Sequence, residues 1–216
     1  MSEFMIQDTS ATELADLARE INGTTDKING ANIAGQIREG LKRHIDTSKI
    51  TDWSYYCYNG ARIETISNLD TSNGTSFSRM CYNASPDRGF GAELNCQRVN
   101  DMSYAFYGST VRKLTLHFKE ADAETGEYMM STKLANAFRN ATSLEELTVT
   151  GLVYANSDDL NIAYSPNLTV ESLVSILNAL RGNENISHTV YFGNTNINKL
   201  TEEQKQIAKD KNIILA

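Results

Sequence analysis

The sequence contains little proline and cysteine and no long apolar run. It has two prolines and three cysteines in 216 residues, and its formal net charge is −7 at pH 7. No stretch approaches the roughly 20 consecutive apolar residues of a membrane-spanning helix, so we expect no membrane insertion. Nucleic-acid binding is not expected either, because clustered Lys and Arg side chains supply most of that affinity and the net charge is negative.

The three cysteines, Cys57, Cys81 and Cys96, do not form a recognisable metal or disulfide pattern. Their number is odd and no CxxC spacing occurs. We therefore predict buried free thiols in a protein made in a reducing compartment. The first ten residues contain acidic side chains and no apolar core of a signal peptide, so we expect no secretory signal.

The sequence gives no sign of catalytic chemistry. His44, His117 and His188 are far apart, and no HExxH or glycine-rich phosphate-binding motif occurs. The pair Asp158 and Asp159 lacks the oxygen-rich loop spacing of a calcium site, so a solvated turn is the simpler interpretation. We expect no enzyme activity, no metal and no cofactor.

Residues 10–45 predict two short amphipathic helices with a turn at Asn22 and Gly23. A segment of this size buries too little apolar surface to be stable alone. We therefore predict that residues 1–45 form an attachment or oligomerisation module. The apolar positions that carry this prediction are Leu14, Leu17, Ile21, Ile28, Ile33, Ile37 and Leu41.

An internal repeat follows. Four similar heptads occupy residues 53–59, 77–83, 102–108 and 134–140. Their spacing lies in or just beyond the period of about 20–29 residues of leucine-rich repeats. Apolar residues at the first, fourth and fifth positions, as in Met102, Ala105 and Phe106, predict one inward-facing helical turn that ends at the following Asn or Gly.

Short segments in which apolar and polar residues alternate follow the heptads and predict strands. They are clearest at residues 111–116 and 144–149, visible at 63–66, and delayed to 94–96 in the second repeat. Such units cannot bury both faces alone and must stack. We therefore predict an α/β repeat fold, a solenoid of short helical turns and strands over residues 46–216. The insertions at residues 85–92 and 119–128 are expected to be surface loops.

The last part of the chain predicts a cap over about residues 160–216. Thr169 is a plausible N-cap for a helix over 170–180, and a strand is expected at 189–192. Thr201 and Gln204 form a capping box for a helix that continues to about Lys211. A final strand is predicted at 213–215.

The candidate binding residues are the outward positions of the predicted strands. They form a polar face that suits a glycan or a protein. The residues are Thr65, Asn95, Lys113, Thr115, His117, Glu146, Thr148 and Tyr191. The recurring tyrosines either pack between neighbouring repeats or provide stacking platforms for a ligand; they are Tyr55, Tyr58, Tyr82, Tyr104 and Tyr107.

Three stretches carry a resemblance to known families. Residues 102–116, MSYAFYGSTVRKLTL, resemble the BspA-type leucine-rich repeat, although the usual Cys after the aromatic turn and the Pro after the strand are missing. Residues 165–205 are similar to the cap that ends such repeats in many phage and prophage proteins. Residues 17–37, which contain INGTTDKI, resemble a module at the start of tailed-phage structural proteins.

The resemblance implies a non-enzymatic virion protein, of the tail, baseplate or head fibre type. Its N-terminus would bind other virion proteins, with a trimer favoured, and its repeats would bind a glycan or protein on the host surface. Assembly would take place in the host cytoplasm, and the final location would be the virion. The alternative is an intracellular phage- or prophage-encoded inhibitor or adaptor that binds one protein partner through the repeats.

Overall fold

The computed structural model describes residues 47–60, 69–85, 91–120, 132–151, 160–182 and 187–216. The chain divides into two compact units, Met1–Thr47 and Ser48–Ala216, close to the boundary that the sequence predicts between residues 45 and 46. The two predicted N-terminal helices and all their apolar positions lie outside the described residues.

The described elements are short. A 3₁₀ turn covers Thr47–Lys49, and the strands are β1 (Gly91–Asn95), β2 (Lys113–His117), β3 (Glu146–Thr150), β4 (His188–Val190) and β5 (Ile213–Leu215). The helices are α1 (Val170–Ala179), α2 (Asn194–Ile197) and α3 (Glu202–Asp210). Within the described residues, no helix is both long enough and apolar enough to cross a membrane.

Strands β1, β2 and β3 form a parallel sheet in that order. Leu94, Leu116 and Val149 share one row of the register, and alternate side chains of each strand point into the core. The strands predicted near 111–116 and 144–149 are confirmed. The predicted loop over residues 85–92 ends earlier than expected, because Ala92 is already an inward residue of β1 with 4% exposure.

The four heptads also stack side by side in parallel. Bridges join residues 52, 76, 101 and 133, which precede the heptads. Within the stack, alternate backbone N–H groups donate to carbonyls of the next repeat. The Phe77 N–H bonds the Asp101 carbonyl at 2.7 Å, and the Cys81 N–H bonds the Ala105 carbonyl at 2.7 Å. Successive repeats are thus connected by hydrogen bonds at the heptads as well as at the sheet.

The heptads are successive β-turns and not the helical turns that the sequence predicted. The intervening N–H groups bond three residues back, as from Tyr107 to the Tyr104 carbonyl at 3.2 Å. A helical turn would direct its N–H groups along its own axis, whereas alternate N–H groups here donate sideways to the neighbouring repeat. The third and seventh positions have positive φ, as type II turns require; they are Tyr55, Asn59, Arg79, Asn83, Tyr104, Gly108, Asn136 and Asn140.

The residues predicted to face inward do so despite this difference. Met102, Ala105 and Phe106 each have 0% exposure. Trp53 fills the same role in the first heptad, but Tyr56 at the fourth position of that heptad remains exposed. The apolar pattern therefore identified the core, although it did not identify the backbone conformation.

The C-terminal elements begin and end close to their predicted positions. Thr169 caps α1 by accepting a hydrogen bond from the Ser172 N–H, and the capping box of Thr201 and Gln204 opens α3. Strands β4 and β5 pair in parallel. Helix α2 was not predicted; its Asn196 is fully buried and donates to the carbonyls of residues 162, 165 and 192.

Candidate binding surfaces

Two outward surfaces of the second unit are built by repetition. The first, the strand face, consists of the outward side chains of β1, β2 and β3. The register places them in rows across the three strands. Its members are Glu93, Asn95, Lys113, Thr115, His117, Glu146, Thr148 and Thr150.

The charged groups of the strand face are paired with one another. The Lys113 ammonium lies 2.6 Å from a Glu146 carboxylate oxygen. His117 contacts both neighbouring strands, with Nε2 2.8 Å from Glu93 Oε1 and Nδ1 2.9 Å from Thr150 Oγ1. The strand face therefore satisfies much of its own hydrogen-bonding capacity.

The structure brings most of the predicted site residues together. Asn95, Lys113, Thr115, His117, Glu146 and Thr148 all lie on the strand face. Tyr191 does not belong to this sheet, because it follows β4 and bridges to Asn161. Thr65 lies outside the described residues. Glu93 and Thr150 were missed, although each stands two residues from a predicted member and the period of two would have found them.

The second surface, the tyrosine face, consists of the outward side chains at the third and sixth heptad positions. Because first, fourth and fifth positions enter the core, the third and sixth point away from it. The members are Tyr55, Tyr58, Arg79, Tyr82, Tyr104, Tyr107, Asn136 and Arg139.

Three tyrosines of this face stack across successive repeats. The Tyr58 and Tyr82 ring centroids are 5.1 Å apart with planes inclined by 19°, and those of Tyr82 and Tyr107 are 4.8 Å apart with planes inclined by 5°. Tyr55 and Tyr58 lie at one end of the face with 52% and 43% exposure. In the middle of this face the tyrosine rings therefore pack between repeats. At its end the rings of Tyr55 and Tyr58 are exposed to solvent.

Arginine side chains complete the tyrosine face. The Arg79 guanidinium lies over two rings, with its carbon 5.6 Å from the Tyr55 centroid and 5.0 Å from the Tyr104 centroid. Its Nη1 donates to the Tyr55 hydroxyl at 3.1 Å. Arg139 lies 5.7 Å from the Tyr164 ring centroid. Such cation–π contacts hold each guanidinium in place while part of it still faces solvent.

The described residues contain no candidate metal centre, and their thiols are buried. Among these residues, no group of three or more His, Cys, Asp or Glu side chains could hold a metal ion. The predicted burial of the thiols is confirmed, because Cys57, Cys81 and Cys96 are all free and buried. Burial raises the pKa of the Cys96 thiol far above its usual range.

Comparisons with protein-family models, with curated proteins and with solved structures find no match. Function is therefore inferred from the residues and geometry of the two surfaces.

Proposed function

We propose that the protein is a non-enzymatic structural component of a phage virion, of the tail, baseplate or head fibre type, which binds the host-cell surface through leucine-rich repeats arranged as a solenoid. The observation that supports binding is the stacking of Tyr58, Tyr82 and Tyr107, which come from three different heptads. The stack places phenol rings at regular intervals along the molecule. A surface of this kind suits an extended or repetitive ligand.

The attachment part of the proposal depends on the N-terminal sequence. Residues 17–37 resemble a module of tailed-phage structural proteins, and the compact unit Met1–Thr47 has nearly the extent of the predicted attachment module. In this proposal the first unit joins the virion as part of a closed oligomer, with a trimer favoured. The second unit displays the repeats.

Light scattering on the full chain and on residues 46–216 tests this division. We expect a trimer for the full chain and a folded monomer for the truncated one. Replacing Leu17 and Ile21 by Ser in the full chain should have the same effect, since both belong to the apolar stripe predicted to hold the copies together. In phage particles, we expect the truncated protein to be absent.

Two results would contradict the proposal in different ways. A truncated protein that is incorporated normally into particles would exclude residues 1–45 as the attachment module. A monomer in both forms, with one protein partner recovered from the cytoplasm of infected or lysogenic cells, would favour the alternative role as an intracellular inhibitor or adaptor.

A further inference from the structure

The tyrosine face carries two cationic groups that have no acidic partner among the residues that the structure describes. Among the described residues, no carboxylate oxygen lies within 4.0 Å of the Arg79 or Arg139 guanidinium. The cations beside and on the strand face differ in this respect, because Arg112 pairs with Glu145 and Lys113 pairs with Glu146. The two surfaces therefore offer different chemistry to a ligand.

The Arg79 side chain is held ready for an anion. Its guanidinium lies over the rings of Tyr55 and Tyr104, and one N–H donates to the Tyr55 hydroxyl. A guanidinium has five N–H donors, and two of them can bind one carboxylate side by side. Since the tyrosines already restrict the side chain, less conformational entropy is lost when a ligand binds.

Aromatic surface lies beside this cation. Tyr55 and Tyr58 are about half exposed, and their ring centroids are 5.4 Å apart with planes inclined by 55°. Exposed rings of this kind can cover the apolar side of a sugar ring, while phenol hydroxyls at the edge hydrogen-bond to its hydroxyl groups. Asn59, the next residue, is also exposed and adds amide donors and acceptors.

We propose that the tyrosine face binds an acidic carbohydrate chain, with sugar rings on Tyr55 and Tyr58 and a sugar carboxylate on Arg79. This inference deepens the proposed function, on which it rests, by naming the surface and the chemical class of the host ligand. The nearby Asp52 and Asp101 carboxylates accept hydrogen bonds from backbone N–H groups of Ser54 and Ser103 at 2.9 and 2.8 Å, so part of their acceptor capacity is used within the heptads.

Single-stranded nucleic acid is the competing ligand, because it too is bound by aromatic rings and arginine. Two observations favour the carbohydrate. The net charge of −7 repels a strand with a phosphate at every unit more strongly than a glycan that carries carboxylates on only some of its sugars. The faces of the Tyr82 ring are covered by Tyr58 and Tyr107, which leaves no room for bases to stack in the middle of the surface.

The test measures binding of the full chain to an array of oligosaccharides that contains uronic-acid and sialic-acid glycans beside their neutral counterparts. We expect binding to acidic glycans that weakens as salt is added. Arg79→Gln should weaken it at least about tenfold, because hydrogen bonds to charged groups are lost. Tyr55→Ala should also weaken it, and Arg79→Lys should restore only part of the affinity, since Lys lacks the planar fork.

Two controls separate this surface from the rest of the molecule. Arg98→Gln removes the same charge from an exposed arginine that bonds Asn73 away from the tyrosine face, and it should leave binding unchanged. Lys113→Gln removes one charge from the strand face, the other candidate binding surface, so a loss of binding in this variant would place the glycan on that face instead. Circular dichroism and thermal unfolding of each variant show whether it is folded.

Several results would overturn the inference. They are binding to no acidic glycan, equal binding to neutral glycans, stronger competition by an oligo(dT) strand than by the glycans, or a loss caused by Lys113→Gln and not by Arg79→Gln. The assay uses purified protein, so it is independent of particle association. A protein that binds acidic glycans through Arg79 but is absent from virions would contradict only the virion role.

Discussion

The Ser172 hydroxyl of α1 accepts a hydrogen bond from the backbone N–H of Leu147 in β3, at 2.9 Å. Ser175 does the same for the Val149 N–H at 2.8 Å and donates back to the Val149 carbonyl at 3.1 Å. Helix α1 thus covers the outer edge of the three-stranded sheet and occupies groups that would otherwise pair with another strand. The edge is closed by side chains and needs no further strand.

Ser172→Ala should lower the free energy of unfolding by about 1–3 kcal/mol, because the buried N–H of Leu147 loses its acceptor. Denaturant unfolding of the purified protein measures this loss. Asn178→Ala is the matched control on the exposed side of α1 and should change stability by less than about 0.5 kcal/mol. Equal stability of the Ser172 and Asn178 variants would show that water replaces the serine hydroxyl at this edge.

Tyr82→Ala should destabilise the protein more than Tyr58→Ala. Tyr82 stacks on Tyr58 and on Tyr107, whereas Tyr58 stacks with parallel geometry on one neighbour only. With about 0.5–1.5 kcal/mol for each aromatic pair, the Tyr82 variant should lose about 1–3 kcal/mol. Tyr82→Phe retains the ring and should stay close to the original stability. A larger loss for Tyr58→Ala would contradict the stacking as a source of stability.

The heptads show how much of the fold the sequence predicts. The set of inward residues is correct except for Tyr56, because first, fourth and fifth positions turn inward both in a helical turn and in successive β-turns. The backbone is different because Tyr55, Arg79 and Tyr104 adopt positive φ, which side chains of this kind rarely do. Hydrogen bonds to the neighbouring repeat impose this conformation. The apolar pattern within one heptad cannot predict them, because they depend on a different part of the chain.

The candidate surfaces, like the heptads, can be predicted from the sequence only in part. Alternation along β2 and β3 predicts which side chains leave the sheet, and the recurring tyrosines predict an aromatic surface. The contact of Arg79 with Tyr55 and Tyr104 could not be predicted in the same way. It depends on the lateral alignment of three repeats whose heptads begin 24 and 25 residues apart, and that alignment is fixed only when the repeats pack.

Lys211→Met should destabilise the C-terminal region. The Lys211 ammonium donates to the carbonyls of Leu177, Asn178 and Leu180 at 2.6–2.8 Å, and these carbonyls end α1. A cation at this place satisfies free carbonyls and interacts favourably with the helix dipole. We expect a loss of about 1–3 kcal/mol in chemical denaturation.

Lys209→Met is the control for Lys211, because Lys209 is exposed and lies 3.8 Å from its acidic partner Glu202. Its free energy of unfolding should change by less than about 0.5 kcal/mol. Hydrogen exchange provides a second measurement, since amide protection in α1 should fall in the Lys211 variant and not in the Lys209 variant. Equal amide protection of α1 in the two variants would show that Lys211 does not cap this helix.

The three thiols should react with iodoacetamide in a fixed order. A hydrogen bond from the Cys81 thiol lowers the pKa of Cys57, and the same contact together with burial raises the pKa of Cys81 well above its usual range. Because the thiolate is the reactive form, Cys57 should be modified first, and its rate should reach a plateau at lower pH than that of a free cysteine. Cys96, fully buried, should react only when the protein unfolds.

Peptide mass spectrometry over a time course distinguishes the three sites. Cys81→Ala removes the hydrogen-bond donor, so the pH at which Cys57 reaches half its maximal rate should rise toward that of an ordinary thiol. Cys81→Ser keeps a donor at this place and should preserve the low value. If Cys96 were modified as fast as Cys57 in the native protein, the core beneath β1 would have to open readily, and the stacked repeats would be less stable than their packing indicates.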